Sequence, residues 1–195
     1  MTFLSNLITG ISLGSIYAII ALGYTMVYGI AKMLNFAHGD VIMVGAYICF
    51  YAISSFNLPP VVGVLLAVLV CTILGVVIER LAYKPLRSAP SLAVLITAIG
   101  VSYFLQNAAL LLFSSAPKVF PSIMGDKSLQ LFGGQLTISA VTIVTVVSCI
   151  VIMVALTLFT GKTKMGKAMR ACSEDKGAAQ LMGISVNFTI SVTFA

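Results

Sequence analysis

Residues 41–78, VIMVGAYICFYAISSFNLPPVVGVLLAVLVCTILGVVI, contain no charged side chain. A helix needs about 20 apolar residues to cross the hydrocarbon core of a bilayer, so this stretch is long enough for two crossings. The turn-forming sequence at 57–60, Asn-Leu-Pro-Pro, divides it. Its apolar residues are continuous and do not alternate with polar ones, which favours helices over barrel strands. The stretch therefore predicts membrane-spanning helices at 41–56 and 61–79, of which the first is unusually short.

Further apolar runs predict spans at 7–30, 91–113 and 137–160. Residues 184–195 begin a sixth run, but twelve helical residues reach only about 18 Å into a core about 30 Å thick. We therefore expect an all-α, polytopic transmembrane helical bundle, with about five full spans and the start of a sixth. It forms a single transmembrane domain over residues 1–195, truncated at its carboxy terminus.

The composition also indicates a membrane protein. Of the 195 residues, 60% are hydrophobic and 8% are charged, whereas about a quarter are charged in soluble domains. The net charge of +6 does not indicate nucleic-acid binding, because the basic residues lie in short gaps between apolar runs and form no basic face. Four cysteines without a CxxC pair and a single histidine predict no disulfide framework, metal site or cofactor.

Lysine and arginine residues in the loops predict the orientation. Residues 80–87 contain three basic side chains and residues 162–176 contain five, whereas the 114–136 loop contains two. Because basic residues accumulate on the cytoplasmic side of a membrane, we expect the two richer groups and Lys32 to be cytoplasmic. The amino terminus and the 114–136 loop are then external.

A polar segment, KMLNFAHGD at Lys32–Asp40, separates the first two spans. It is either an ordinary solvated loop or a broken helix, in which Gly29 and Gly39 let the backbone unwind at membrane depth and line a polar path. The short second span favours the broken helix. A charge at that depth needs a partner, and Lys32 or His38 with Asp40 is the local candidate. The candidate path residues in this segment are Asn35, His38 and Asp40.

Two adjacent amides, Gln106 and Asn107, interrupt the apolar fourth span. Each needs a hydrogen-bond partner away from water. Adjacent helical residues point about 100° apart, so at most one of the two faces a path. Bonding between helices and contact with a solute both remain open, and the same alternatives apply to Tyr24 in the first span.

The segment 161–185, GKTKMGKAMRACSEDKGAAQLMGIS, suits a helix beside the membrane, with a solvated face or contacts to lipid headgroups. Its Gly161-x-x-x-x-Gly166-Lys167 pattern matches most of a Walker A loop. Ala168 stands where the magnesium-binding Ser or Thr is needed, and a transmembrane helix precedes the pattern instead of a strand. The chain itself is therefore not expected to bind or hydrolyse ATP.

Two motifs resemble the permeases of branched-chain amino acid ABC transporters. The segment 34–40, LNFAHGD, is similar to the family's element after its first span, and Gly-Ala-Tyr follows at 45–47. The segment 79–87, ERLAYKPLR, is similar to a second family signature. The resemblance covers the whole chain in order, most closely the H-type subunit of high-affinity leucine, isoleucine and valine importers, but the family's carboxy-terminal spans are absent.

The resemblance implies a multi-pass permease subunit of the bacterial inner membrane that imports branched-chain amino acids and is not itself an enzyme. Its implied partners are two ATPase subunits that hydrolyse ATP, a second paralogous permease subunit, a periplasmic substrate-binding protein and the lipid bilayer. An ABC permease for urea or short-chain amides, an ion-coupled secondary transporter and a membrane scaffold without transport activity are the alternatives.

The segment 161–184 resembles the EAA loop by which ABC permeases dock their ATPase subunits. Ala178, Ala179 and Gly183 fit its A-A-x-x-x-G core, although Gly177 replaces the first Glu and no Leu-Pro follows. The resemblance implies a docking loop with two kinds of contact. Polar rim contacts would come from Arg170, Glu174 and Asp175, and close approach would occur at Ala178, Ala179 and Gly183.

Overall fold

The computed structural model describes residues 2–87, 89–121, 128–131 and 136–195. The chain divides into two compact units. Unit one comprises Met1–Thr25 and Ser122–Lys167, and unit two comprises Met26–Pro121 and Ala168–Ala195. The candidate path residues fall mainly in unit two.

The described residues are mostly helical. Their helices are α1 (Thr2–Ala31), α2 (His38–Ser54), α3 (Pro60–Ile78), α4 (Ser91–Phe113), α5 (Ala140–Lys162), α6 (Lys164–Glu174), α7 (Lys176–Leu181) and α8 (Val186–Phe194). α3 continues through a π-helical turn, Glu79–Tyr83, and a 3-10 turn, Lys84–Leu86. Four of these helices, α1, α3, α4 and α5, are long and apolar enough to cross a membrane, and α2 is a shorter apolar helix. The predicted all-α polytopic class is confirmed, and α8 lies where the sixth span was predicted to begin.

Unit one also contains a short hairpin that the sequence did not predict. Strand β1 (Ser128–Leu131) pairs antiparallel with β2 (Leu136–Ser139), with Leu131 opposite Leu136. The fifth span was expected to begin at 137, but α5 begins at Ala140, where the Ser139 hydroxyl accepts a hydrogen bond from the Val141 N–H at 3.3 Å. Hydropathy places this boundary wrongly, because short apolar strands and helix ends have the same composition.

The turn between α5 and α6 is tight. Thr163 ends α5, and its hydroxyl accepts a hydrogen bond from the Gly166 N–H at 2.9 Å, which caps the start of α6. A Cβ atom on Gly166 would overlap the carbonyl oxygen of Phe159, so glycine permits the close turn. The partial Walker A pattern is therefore a helix–turn–helix and lacks the strand–loop–helix geometry of a phosphate-binding loop.

In unit two, α2, α4 and α8 run in one direction and α3 runs in the opposite direction. Two contacts for each helix pair set these directions. α2 meets α3 at Gly45 with Cys71 and at Gly63 with Ile53, and α2 meets α4 at Asp40 with Ser102 and at Tyr47 with Phe113. α3 meets α8 at Glu79 with Ser191 and at Gly75 with Phe194. A Cβ on Gly75 would overlap the Phe194 carbonyl oxygen, so this glycine allows α8 its close approach. The core of unit two lies around the π-helical turn, with Ala31, Ala37, Tyr83, Ala98 and Ile190 fully buried.

Candidate functional site

The break between α1 and α2 covers residues 32–37. Lys32 ends α1 in the left-handed backbone region, with φ of 56°. This conformation costs a residue other than glycine about 1–2 kcal/mol, more than the roughly 0.3–1 kcal/mol a basic side chain gains near a helix C-terminus. Gly29 and Gly39 lie inside α1 and α2, and neither has positive φ. The expectation that these glycines unwind the helix is therefore wrong, because the helical conformation ends at Lys32.

Asn35 holds the break in place. Its side-chain oxygen accepts hydrogen bonds from the Ala37 N–H at 3.1 Å and from the Tyr83 hydroxyl at 3.0 Å. Asn35 is 7% exposed and Tyr83 is fully buried. Tyr83 belongs to the π-helical turn, a rare conformation that is frequent at functional sites. Burial of this segment favours the broken-helix alternative over a solvated loop.

Asp40 lies in the first turn of α2 and is 8% exposed. Its carboxylate accepts hydrogen bonds from the Ser102 hydroxyl and, at 3.1 Å, from the Gln106 side-chain amide. In the described part of the chain Lys32 forms no salt bridge with Asp40, so that expected pairing is wrong. His38 is the first residue of α2 and is partly buried. Two neutral donors from α4 therefore bond to the carboxylate.

Asp40 lies level with the middle of the neighbouring helices α4 and α3. Ser102 is the central residue of the 23-residue helix α4, so the contact lies about 17 Å from either end at about 1.5 Å per residue. On the other side of α2, the Cys71 thiol donates to the Val41 carbonyl at 3.5 Å, and Cys71 is near the middle of the apolar span Pro60–Leu86. An ionisable residue at mid-membrane depth is a strong indication of a transport pathway.

The two adjacent amides of α4 differ, as their angular separation predicts. Gln106 faces Asp40 and also donates to the Ser102 hydroxyl at 3.1 Å. Asn107 is exposed and donates to the Tyr103 carbonyl oxygen within α4 at 2.7 Å. Tyr24 lies on α1 in unit one and is partly buried. The structure thus brings together Asp40 and Gln106, whereas Asn107 bonds within α4, and both amide side chains are exposed.

A second polar cluster, which the sequence analysis missed, joins the end of α3 to α8. Glu79 is fully buried, and its carboxylate accepts hydrogen bonds from the Arg87 guanidinium and from the Ser191 hydroxyl at 2.6 Å. Arg87 also donates to the side chain of Asn187. The available signal was Glu79 itself, the first charged residue after the uncharged run 41–78.

α7 is tied to the end of α1. The Asp175 carboxylate accepts from the N–H groups of Gly177 at 2.7 Å and Ala178 at 3.0 Å, and so caps α7. The Lys176 ammonium donates to the Ala31 carbonyl oxygen at 2.7 Å. Partial burial lowers the pKa of Lys176, and the positive charge of Arg87 lowers it further.

The predicted docking residues occupy different positions. Arg170, Glu174 and Ala178 are exposed, whereas Ala179 is buried within the chain. Gly183 has φ of 82°, a conformation that glycine adopts readily. Sequence reasoning missed Leu181 and Met182, which are 91% and 83% exposed. Their signal was a pair of large apolar residues in an otherwise polar segment, which is typical of a contact surface.

A family model described as the permease component of branched-chain amino acid transport systems matches residues 6–195. The chain belongs to this family. It is 41% identical over 206 aligned positions to the high-affinity branched-chain amino acid transport system permease protein BraD of Pseudomonas aeruginosa, and 39% identical over 202 positions to LivH of Escherichia coli. Both alignments cover 98% of this chain and 66% of the relative. A probable LivH of Methanocaldococcus jannaschii is 28% identical over 182 positions, which cover 90% of this chain and 56% of that protein.

The chain thus spans 66% of the length of the two bacterial relatives, BraD and LivH. No solved structure matches it significantly. In this permease-family chain the segment LNFAHGD forms the break and the start of α2, and the segment ERLAYKPLR forms the π-helical and 3-10 turns. The hydrogen bond between Asn35 and Tyr83 joins the two motifs.

Proposed function

We propose that this chain is the permease subunit of an ABC importer that moves branched-chain amino acids across the bacterial inner membrane, powered by separate ATPase subunits. The observation that carries the proposal is the buried carboxylate of Asp40, held at mid-span depth beside a break in the helix. Membership in the permease family supports the transport role.

The site suits a zwitterion with an aliphatic side chain. The Asp40 carboxylate can accept an ammonium group, because its present partners Ser102 and Gln106 are neutral and exchangeable. The start of α2 carries backbone N–H groups and a partial positive charge, which favour a carboxylate. Apolar residues of α2 and α4 tolerate the aliphatic part. Asn35 in the break and His38 at the start of α2 flank this position.

The proposed orientation rests on the distribution of basic residues in unit two. Lys176 contacts the end of α1, and Arg87 contacts Asn187 at the start of α8, so several basic segments lie at one end of the unit. Lys118 lies over the rings of Phe50 and Tyr51 near the opposite end of α2. By the positive-inside rule, the first end is cytoplasmic and the amino terminus external.

The docking loop 161–184 would receive the ATPase subunits at that cytoplasmic end. Its exposed apolar residues Leu181 and Met182 are the contact surface, with Arg170 and Glu174 as polar rim contacts. Because α7 is bonded to α1 through Lys176, a movement of the loop would displace the end of α1 at the break. A second permease subunit and a periplasmic binding protein would complete the importer.

Uptake of leucine by the reconstituted importer tests the path. Asp40→Asn should lower the uptake rate about 10- to 100-fold, because a hydrogen bond to a charged group contributes about 1.5–3 kcal/mol. Asn107→Leu, on the exposed face of the same helix pair, should leave the rate within about twofold. Unchanged uptake with both Asp40→Asn and His38→Ala would remove the break from the pathway. Competition by urea or short amides, without competition by valine, would favour the amide permease.

Co-purification with the ATPase subunits tests the docking loop. Leu181→Asp with Met182→Asp should abolish a stable complex, because carboxylates would be buried without partners at the contact. The control is Val119→Asp, which changes an equally exposed apolar residue at the other end of unit two. An intact complex with the double variant would contradict docking at α7. Uptake driven by an ion gradient without ATPase subunits would instead identify a secondary transporter.

A further inference from the structure

A cavity in unit two lies where the end of α1, the start of α4 and α7 meet. Its volume is about 400 Å³. Three lining residues are basic, Lys32, Arg87 and Lys176, and none is acidic. These three come from separate segments of the chain, so the tertiary structure concentrates their charge in one place. We call this cavity the basic pocket.

The basic side chains retain donors for a further partner. The positive charge of Arg87 is neutralised by the carboxylate of Glu79, the one carboxylate that it pairs with among the described residues. The Lys176 ammonium group donates one hydrogen bond to the Ala31 carbonyl oxygen, and such a group can donate three. The Lys32 side chain is exposed and donates to none of the other described residues. Three cations near one carboxylate leave a positive potential. Burial is the largest cause of the lowered pKa of Lys176, and the positive charges of Arg87 and Lys32 lower it further.

The N-terminus of α4 lines the same pocket. α4 begins at Ser91 after Pro90, and no side chain of the described residues caps it. Ser91 and Leu92, its first two residues, line the pocket. The unpaired N–H groups of a helix N-terminus form an anion-binding site. The N-terminus of α4 and the three basic side chains therefore both favour an anionic ligand.

The backbone of Lys32 is a further indication. Its left-handed conformation at the end of α1 suits glycine or asparagine better than lysine. The favourable interaction of a cation with a helix C-terminus is smaller than the strain. A strained backbone of this kind is an indication of function, and the Lys32 side chain lies on the pocket wall.

The pocket is amphipathic. Tyr28 and Leu92 line it, and both are large apolar residues with exposed side chains, 49% and 65% respectively. Both lie on helices long and apolar enough to span the membrane. An anionic headgroup can bind the cations while its acyl chain follows these exposed apolar side chains. Basic pockets of this kind beside membrane spans recognise anionic lipid headgroups.

We propose that the basic pocket binds the phosphate group of an anionic ligand, with Lys32, Lys176 and the N-terminus of α4 as its donors. At the membrane surface an anionic phospholipid supplies this group, and free phosphate is the other source. A bound phosphate would bridge Lys176 of the docking loop to Lys32 of the break. Ligand binding would therefore hold α7 against the end of α1.

Calorimetric titration of the purified full chain in neutral detergent tests the proposal. The probes are short-chain phosphatidylglycerol, short-chain phosphatidylcholine and inorganic phosphate. The anionic lipid should bind more tightly than the zwitterionic one. Lys32→Gly and Lys176→Gln should each weaken its binding about fivefold, the factor typical of one basic residue at an anionic surface. Tighter binding of the anionic lipid than of inorganic phosphate identifies a lipid site, and the reverse order identifies a soluble ligand.

Lys118→Gln is the matched control, because it removes one positive charge at the other end of unit two. It should leave binding unchanged. Lys32→Gly relieves a strained backbone, so its thermal midpoint should not fall, and weaker binding cannot then be attributed to unfolding. Equal binding of the two lipids, or equal loss with Lys118→Gln and Lys32→Gly, would overturn the proposal.

Discussion

The two ends of the α2–α4 contact differ in chemistry. Where α2 begins, the Asp40 carboxylate is hydrogen-bonded to Ser102 and Gln106. Where α4 ends, the rings of Tyr47 and Phe113 stack with centroids 4.5 Å apart. Aromatic stacking tolerates replacement by another apolar group, whereas a buried polar group that loses its partner incurs a desolvation penalty. From this comparison we expect the aromatic end to contribute stability and the polar end to carry the proposed function.

The largest expected effect is at the second polar cluster, between the end of α3 and α8, with Arg87→Met. This change leaves the fully buried Glu79 carboxylate without its cation, and breaking a buried pair costs about 3–5 kcal/mol. Denaturant unfolding in detergent measures the loss. Arg80→Met, an exposed residue of the same π-helical turn, should change stability by less than about 0.5 kcal/mol. Equal losses for the two variants would show that the ion pair does not stabilise the fold.

A smaller effect is expected at the aromatic end, with Phe113→Leu. Phe113 stacks on both Tyr47 and Tyr51, and such pairs contribute about 0.5–1.5 kcal/mol each. The free energy of unfolding should fall by about 1–3 kcal/mol. Leucine uptake per folded molecule should remain unchanged. A reduced uptake rate in this variant would break the separation between the stabilising and the functional end.

The smallest effect on stability is expected for Tyr83→Phe, which removes one hydrogen bond to Asn35. Its loss should be about 1 kcal/mol, because the Ala37 N–H still bonds to Asn35. Uptake should nevertheless fall, since the break would be less rigidly held. Tyr103→Phe, an exposed tyrosine on α4, is the control for both measurements. An unchanged rate with Tyr83→Phe would show that the Asn35 contact is structural only.

Much of the fold could be predicted because lipid solvates apolar side chains and excludes charges. The uncharged runs therefore indicate the spans, and the segment 32–40 between two of them indicates a break. The 100° separation of adjacent helical residues predicts that at most one of Gln106 and Asn107 faces a path, and the two amides have different hydrogen-bond partners. Each of these inferences depends only on local composition and helix geometry.

The partners of the buried polar groups could not be predicted in the same way. Asp40 was expected to pair with Lys32 or His38, but it forms no salt bridge with Lys32 in the described residues, and its partner Ser102 lies 62 positions away. The positive φ of Lys32 and the π-helical turn that carries Tyr83 likewise depend on which helix faces meet. The sequence alone determined that this is a helical membrane protein with a polar interruption, because burial of apolar runs follows from composition. Only the tertiary structure decided which donors surround the carboxylate, because that choice requires helices distant in sequence to pack side by side.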